Sequence, residues 1–154
     1  MTILKGATVV GLAAAALSGG FVAWKRLQPI PTPPLEIGGY LLQQPREIPS
    51  FELVDADKAP FTNDGLEGAW SFLYFGYTYC ADACPTSLIE LAKVKQALEQ
   101  TRPDLVAHYY LVSVDPGRDT PQRLREYVAY FDPTFRGLTG EPDEIDKVAG
   151  AASV

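Results

Sequence analysis

Sulfur and imidazole are scarce in this chain: its 154 residues include two cysteines, Cys80 and Cys84, and one histidine, His108. Two cysteines are too few for a disulfide scaffold, and with one remote histidine they do not make the four ligands of a structural zinc site. They are enough for one redox or metal-binding pair. Neither lies near the amino terminus, so a lipid anchor attached through an N-terminal cysteine is excluded. The glycines form no phosphate-binding fingerprint, and no internal repeat is visible. Basic residues are sparse as well. From Leu35 to Val154 there are 10 Lys and Arg against 19 Asp and Glu, a balance of −9. An acidic domain repels phosphate backbones, which argues against nucleic acid as a partner and favours a metal cation or a basic protein.

Before Leu35 the only charged side chains are Lys5, Lys25 and Arg26. Gly6 to Trp24 is a run of 19 residues without a charge. As a helix it would span about 28 Å, close to the thickness of a bilayer core. Residues 1–26 therefore read as an N-terminal transmembrane anchor. A cleaved signal peptide, with small residues in AAAALSGG, and a buried core helix are the rival readings. The flanking positive charges are nearly balanced and do not set an orientation. Residues 27–50 read as a linker: Pro29, Pro31, Pro33, Pro34, Pro45 and Pro49 favour extended, semi-rigid chain.

A domain follows over residues 51–154. FELVDADKAPFT predicts two short strands joined by a polar turn at Asp55–Lys58. Trp70 to Tyr77 is almost continuously apolar, as for a strand buried on both faces. A helix is expected from about Pro85 to Pro103, with Leu88, Leu91, Val94 and Leu98 at helical spacing. Val106 to Val114 predicts a second buried strand. Asp119 or Thr120 can cap a helix from Pro121 to about Phe131, with Leu124, Val128 and Phe131 inward. Phe135–Gly140 reads as a short strand or turn, and Pro142–Ala152 as a last helix with Asp143 and Glu144 at its positive end. Strands alternating with helices imply a parallel α/β sheet.

The chemistry is concentrated in YCADACPTSL. Cys80 and Cys84 lie between a strand and a helix start, where free N–H groups lower a thiol pKa, so at least Cys84 should have thiolate character. Their spacing in a tight turn permits a disulfide, and two thiolates form a soft ligand pair suited to Cu(I). Asp82 opposes thiolate formation but favours a bound cation. The bland alternative is two buried, inert cysteines. In SVDPGRDTP, Asp115 and Asp119 could be a carboxylate pair. The favoured reading is that Asp115 ends a strand and Asp119 caps a helix, with Arg118 paired nearby. His108, mid-strand beside Tyr109, reads as packed or hydrogen-bonded rather than as a ligand. Tyr109, Tyr110, Tyr127 and Tyr130 read as packing residues.

FGYTYCADACPTSL followed by LVSVDPGRDTPQRLREYVAYFDPTFRGLTG resembles the Sco/SenC family. Phe75–Thr78 match its FGYT element. Ser113–Pro116 with Arg118–Pro121 match SVDPxRDTP, and Gly137–Gly140 match GLTG. The resemblance covers roughly Phe51 to Ala149. It implies a thioredoxin-like α/β fold and copper bound by Cys80 and Cys84. It also implies a role in assembling the copper centre of cytochrome c oxidase, with that enzyme's copper-bearing subunit or another copper chaperone as partner. The domain would lie on the periplasmic side of the inner membrane, or on the intermembrane-space side if mitochondrial. There are two departures. Ala81 stands where the family has proline, and the family's third copper ligand, a histidine beyond the GLTG turn, has no counterpart in this chain. The final β-hairpin and helix of such a fold are likewise expected to be missing. A sheet edge would then be left open, the signature of a truncated chain that is only marginally stable. The function expected is a membrane-anchored metallochaperone. The alternatives are a thiol–disulfide oxidoreductase acting through Cys80 and Cys84 without stable metal, and an inactive truncated relative.

Overall fold

In the computed structural model, residues 42–153 are described; the expected membrane segment and most of the linker lie outside them. Residues 44–154 form one compact unit. Among the described residues no helix is long and apolar enough to cross a membrane.

The first two strands, β1 (Glu52–Asp55) and β2 (Pro60–Thr62), pair antiparallel as a hairpin. Its turn is closed by the Asp55 carboxylate, which accepts from the amides of Asp57 and Ala59. Lys58 takes the left-handed conformation there (φ 62°). A short 3₁₀ turn, Asn63–Leu66, leads to β3 (Trp70–Gly76). The long helix α1 (Ala83–Thr101) follows, then β4 (Ala107–Ser113), α2 (Pro121–Ala129), β5 (Arg136–Thr139) and α3 (Pro142–Ala152). The sheet order is β2-β1-β5-β4-β3. β3, β4 and β5 are parallel, as alternation with helices predicts, but β1 runs antiparallel to both its neighbours, so the sheet is mixed.

Strand alternation divides the core in two. Tyr109 and Leu111 face α1 and α2, packing with Leu88, Leu124 and Val128. Tyr110 and Val112 face the other way, with Leu53, Leu138, and Ile145 and Val148 of α3. Phe72 stacks on Tyr109 at 4.9 Å and Tyr109 on Phe135 at 5.4 Å. Gly137 lets α2 sit close on β5, since a Cβ there would come within 2.5 Å of the Leu124 Cβ.

Three expectations need correction. β3 is not buried on both faces. It is an end strand of the sheet, Trp70 is 67% exposed, and the side chains after it are half-buried. β4 is buried from Tyr109 to Ser113, but Val106 and Val114 just outside it are exposed. On α1, Leu88 is buried while Val94 faces solvent, so the inner stripe is narrower than the spacing suggests.

Candidate functional site

β3 and β4 are parallel neighbours with Gly76 opposite Ser113, so the loops that leave them emerge at the same end of the sheet. The Val114 amide donates to the Gly76 carbonyl (2.9 Å) and holds the two loops together as they leave. The first loop carries Cys80 into α1; the second carries Asp115–Thr120 into α2. This is the end of a parallel sheet where α/β sites gather.

Helix α1 starts at Ala83, two residues before the expected Pro85, so Cys84 lies within its first turn. Asp82 occupies the capping position, but its side chain makes no capping bond. Instead the Cys84 amide donates to the Cys80 sulfur (3.3 Å). Cys80 thus does what a capping oxygen does at other helices. Its thiol is held below the ordinary value first by a hydrogen bond from the Cys84 side chain, then by the Cys84, Asp82 and Ala83 amides. The amides at the start of α1 converge on Cys80. Cys84 is buried and Cys80 partly open, and both are free thiols.

The surroundings of Cys84 were not legible in the sequence. A Cβ on Gly76 would meet Tyr74 at 2.9 Å and the Cys84 sulfur at 3.2 Å, so glycine there admits the sulfur against the sheet. Burial raises the Tyr74 phenol, and Cys84 and Cys80 raise it further. Tyr127, expected only to pack, has its buried hydroxyl without a hydrogen-bond partner among the described residues. Burial and the two sulfurs push it up to about 12. Tyr130, also expected to pack, is 84% exposed.

Asp119 is not the helix cap. Thr120 caps α2, its hydroxyl accepting from the Arg123 amide (3.3 Å). Asp119 is fully buried and accepts three hydrogen bonds: from the Thr78 amide (3.0 Å), the Thr78 hydroxyl (2.5 Å) and the Ser113 hydroxyl (2.7 Å). Arg123 donates in turn to the Thr78 hydroxyl (2.6 Å). Outside, the guanidinium groups of Arg118 (4.8 Å) and Arg123 (4.1 Å) both lie over the exposed Tyr79 ring. Asp115, expected to end the strand, lies two residues past the end of β4 and pairs with Arg118. Asp115 and Asp119 therefore have separate partners and do not form a carboxylate pair.

His108 is the second residue of β4 and exposed. It stands five residues before the site end of the strand, about 16 Å at the usual rise. It is therefore placed away from the cysteines, its ring tilted toward Tyr110 at 6.2 Å. Among the described residues, no three His, Cys, Asp or Glu side chains gather as a metal site. The donor set is two sulfurs, one buried and one open. As a soft pair it fits Cu(I) and does not fit zinc, which takes four ligands. A cavity of about 600 Å³ lies between α1 and the Tyr130–Asp132 segment, and neither cysteine lines it.

The SCO1/SenC family profile matches residues 41–154. A SCO2-like protein of Rickettsia prowazekii is 42% identical over 98 residues, covering 64% of this chain and 47% of its own. The crystal structure of Arabidopsis thaliana ScoI with copper bound superposes with a TM-score of 0.64 at 40% identity, covering 68% of this chain and 64% of its own. Yeast Sco1 with copper bound gives a TM-score of 0.64 at 32% identity, covering 70% and 68%. The match spans between 29% and 54% of the length of such curated relatives. The thioredoxin-like expectation for the five-stranded sheet and its helices is borne out by these superpositions.

Proposed function

The chain belongs to the SCO1/SenC family, and from that membership we propose that it is a membrane-anchored copper-binding factor for assembly of the copper centre of cytochrome c oxidase. Cys80 and Cys84 are the residues that hold the metal. The observation that carries this reading is the Cys80 sulfur, held at the start of α1 by the Cys84 amide, with Cys84 beneath it. Copper supplies a soft monovalent cation that two thiolates can carry and release. The rest is done by the chain. The amides of Asp82, Ala83 and Cys84 favour the thiolate of Cys80, and Gly76 leaves room for Cys84. The partly open Cys80 faces an incoming partner, while the buried Cys84 stays fixed to the helix. The acidic domain suits a cationic cargo. The charge-free run Gly6–Trp24 and the proline-rich segment after it would hold the domain above the inner membrane, on its outer side.

The test is copper binding by the reduced chain, with metal quantified and Cys80→Ser and Cys84→Ser as controls. One Cu(I) per chain, lost in both variants, is expected. A chain that retains no copper, or one whose copper survives both substitutions, overturns the reading.

The difference in exposure between the sulfurs favours a second reading, thiol–disulfide exchange. The Cys80 thiolate would attack a partner's disulfide, form a mixed disulfide and release one partner thiolate. The Cys84 thiolate would then attack Cys80, closing the Cys80–Cys84 bond and releasing the second. Two electrons pass to the partner, which leaves as a dithiol. Stoichiometric reduction of a protein disulfide by the reduced, copper-free chain, with the Cys80–Cys84 bond formed in step, would favour this reading; its absence would remove it.

A further inference from the structure

We propose that Asp119 is a positioning residue for the cysteine loop: through Thr78 it fixes the backbone that presents Cys80, and so sets how the two sulfurs act together. The proposal rests on reading Cys80 and Cys84 as the working pair.

A carboxylate with no exposed surface is costly to bury unless its oxygens are supplied with donors. Asp119 receives three, and two come from one residue, Thr78. None comes from the first turn of α2, whose capping bond is made by Thr120. The helix that Asp119 precedes therefore does not need its side chain. What the side chain holds lies across the sheet end: Thr78, two residues before Cys80. The Thr78 hydroxyl donates to Asp119 and accepts from Arg123, so it has a defined orientation between an anion and a cation. The same guanidinium lies over the Tyr79 ring, with Arg118 beside it, and holds the loop from the solvent side. Cys80 then turns back, its amide donating to the Tyr77 carbonyl (3.3 Å). Downstream of Cys80, Ala81 gives the loop none of the φ restraint a proline would give. The Cys84 amide holds the Cys80 sulfur from downstream, and the restraint from upstream is anchored by Asp119.

The experiment compares the full chain with Asp119→Asn, Thr78→Val, Thr78→Ser and Thr120→Ala. Two readouts are taken: the Cu(I) dissociation constant, and the equilibrium constant of the Cys80–Cys84 disulfide against glutathione, measured without metal. Asn at 119 keeps the shape but cannot accept all three bonds. Val at 78 keeps the amide bond and loses the hydroxyl, which Ser restores. Asp119→Asn and Thr78→Val are expected to weaken copper binding at least tenfold and to change the disulfide constant at least threefold. Thr78→Ser and Thr120→Ala should stay within about twofold, although Thr120→Ala lowers the melting temperature. If Asp119→Asn and Thr78→Val lower the melting temperature but leave both constants within twofold of the parent, the role is merely structural and the proposal is overturned. Should Asp119→Asn fail to fold, the contrast between Val and Ser at position 78 decides on its own. The two readings separate cleanly. A parent chain that binds no copper, with its disulfide constant still displaced in the variants, defeats the copper reading and upholds the positioning. A parent that binds copper, with variants unchanged in both constants, does the reverse.

Discussion

At the scale of the residue, Cys80 is distinguished from Cys84 by what it accepts rather than by its sequence neighbours. The Cys84 thiol, then three amides, lower its pKa from the ordinary thiol value of 9.0. Such a group favours the folded state in its charged form. That contribution is present above the unfolded pKa and is lost as pH falls through the lowered folded value. Between the two values Cys80 is thiolate in the folded protein and would be thiol in an unfolded one. In the metal-free protein, carboxymethylation of Cys80 should therefore show a pH midpoint below that of a free thiol. Cys84→Ala should move that midpoint up, because it removes the largest cause. Peptide mapping by mass spectrometry, which follows Cys80 alone, checks both, and an unmoved midpoint in Cys84→Ala would break the assignment. Gly76 is the second decisive residue. A methyl group there meets Tyr74 and the Cys84 sulfur together. Gly76→Ala should cost about 1–3 kcal/mol, as overpacking does. Denaturant unfolding measures the cost, and copper titration should show a matching loss of affinity.

Among the elements, α2 gives the sharpest separation of local from tertiary roles. Its cap is the Thr120 hydroxyl, so Thr120→Ala should destabilise the protein by about 1 kcal/mol, read as a lower denaturation midpoint at unchanged slope. Sequence alone offered Asp119 or Thr120 and favoured Asp119, because both side chains can accept from a helix amide. What distinguishes them is the location of Thr78, and that depends on strand order. The hairpin of β1 and β2, the ends of α3 and the inner residues Leu124 and Val128 were legible because turn chemistry and helical spacing are local. The edge position of β3 was not. A continuous apolar run such as Trp70–Tyr77 fits a buried parallel strand, and it equally fits an end strand whose two faces are each half covered. The start of α1 was displaced for a related reason. Proline suits the first turn at more than one position, and only the Cys80 sulfur accepting from Cys84 shows that the helix begins at Ala83. The cysteine pair was legible from spacing and placement, whereas Tyr74 and Tyr127 reach it from separate elements.

For the whole molecule, two opposed features decide how copies of the domain meet. β3 pairs with β4 on one side and, among the described residues, with no strand on the other. Its edge carries the exposed Trp70, beside the exposed Val106. An unpaired apolar edge is a template for strand pairing between chains. Against this stands charge: residues 44–154 hold 10 Lys and Arg and 18 Asp and Glu, so copies repel one another. The repulsion acts over a Debye length of about 10 Å at 0.1 M salt and about 3 Å at 1 M, whereas strand pairing and apolar contact survive salt. Self-association of a chain of residues 44–154 should therefore rise with ionic strength, the reverse of an association held by ion pairs. Trp70→Lys places a charge on the edge and removes its largest apolar group, and should keep the protein monomeric across the same range. Sedimentation equilibrium at low and high salt measures both. An association that weakens as salt is added would show that the contact is electrostatic and lies elsewhere, and one that Trp70→Lys leaves intact would exclude the β3 edge.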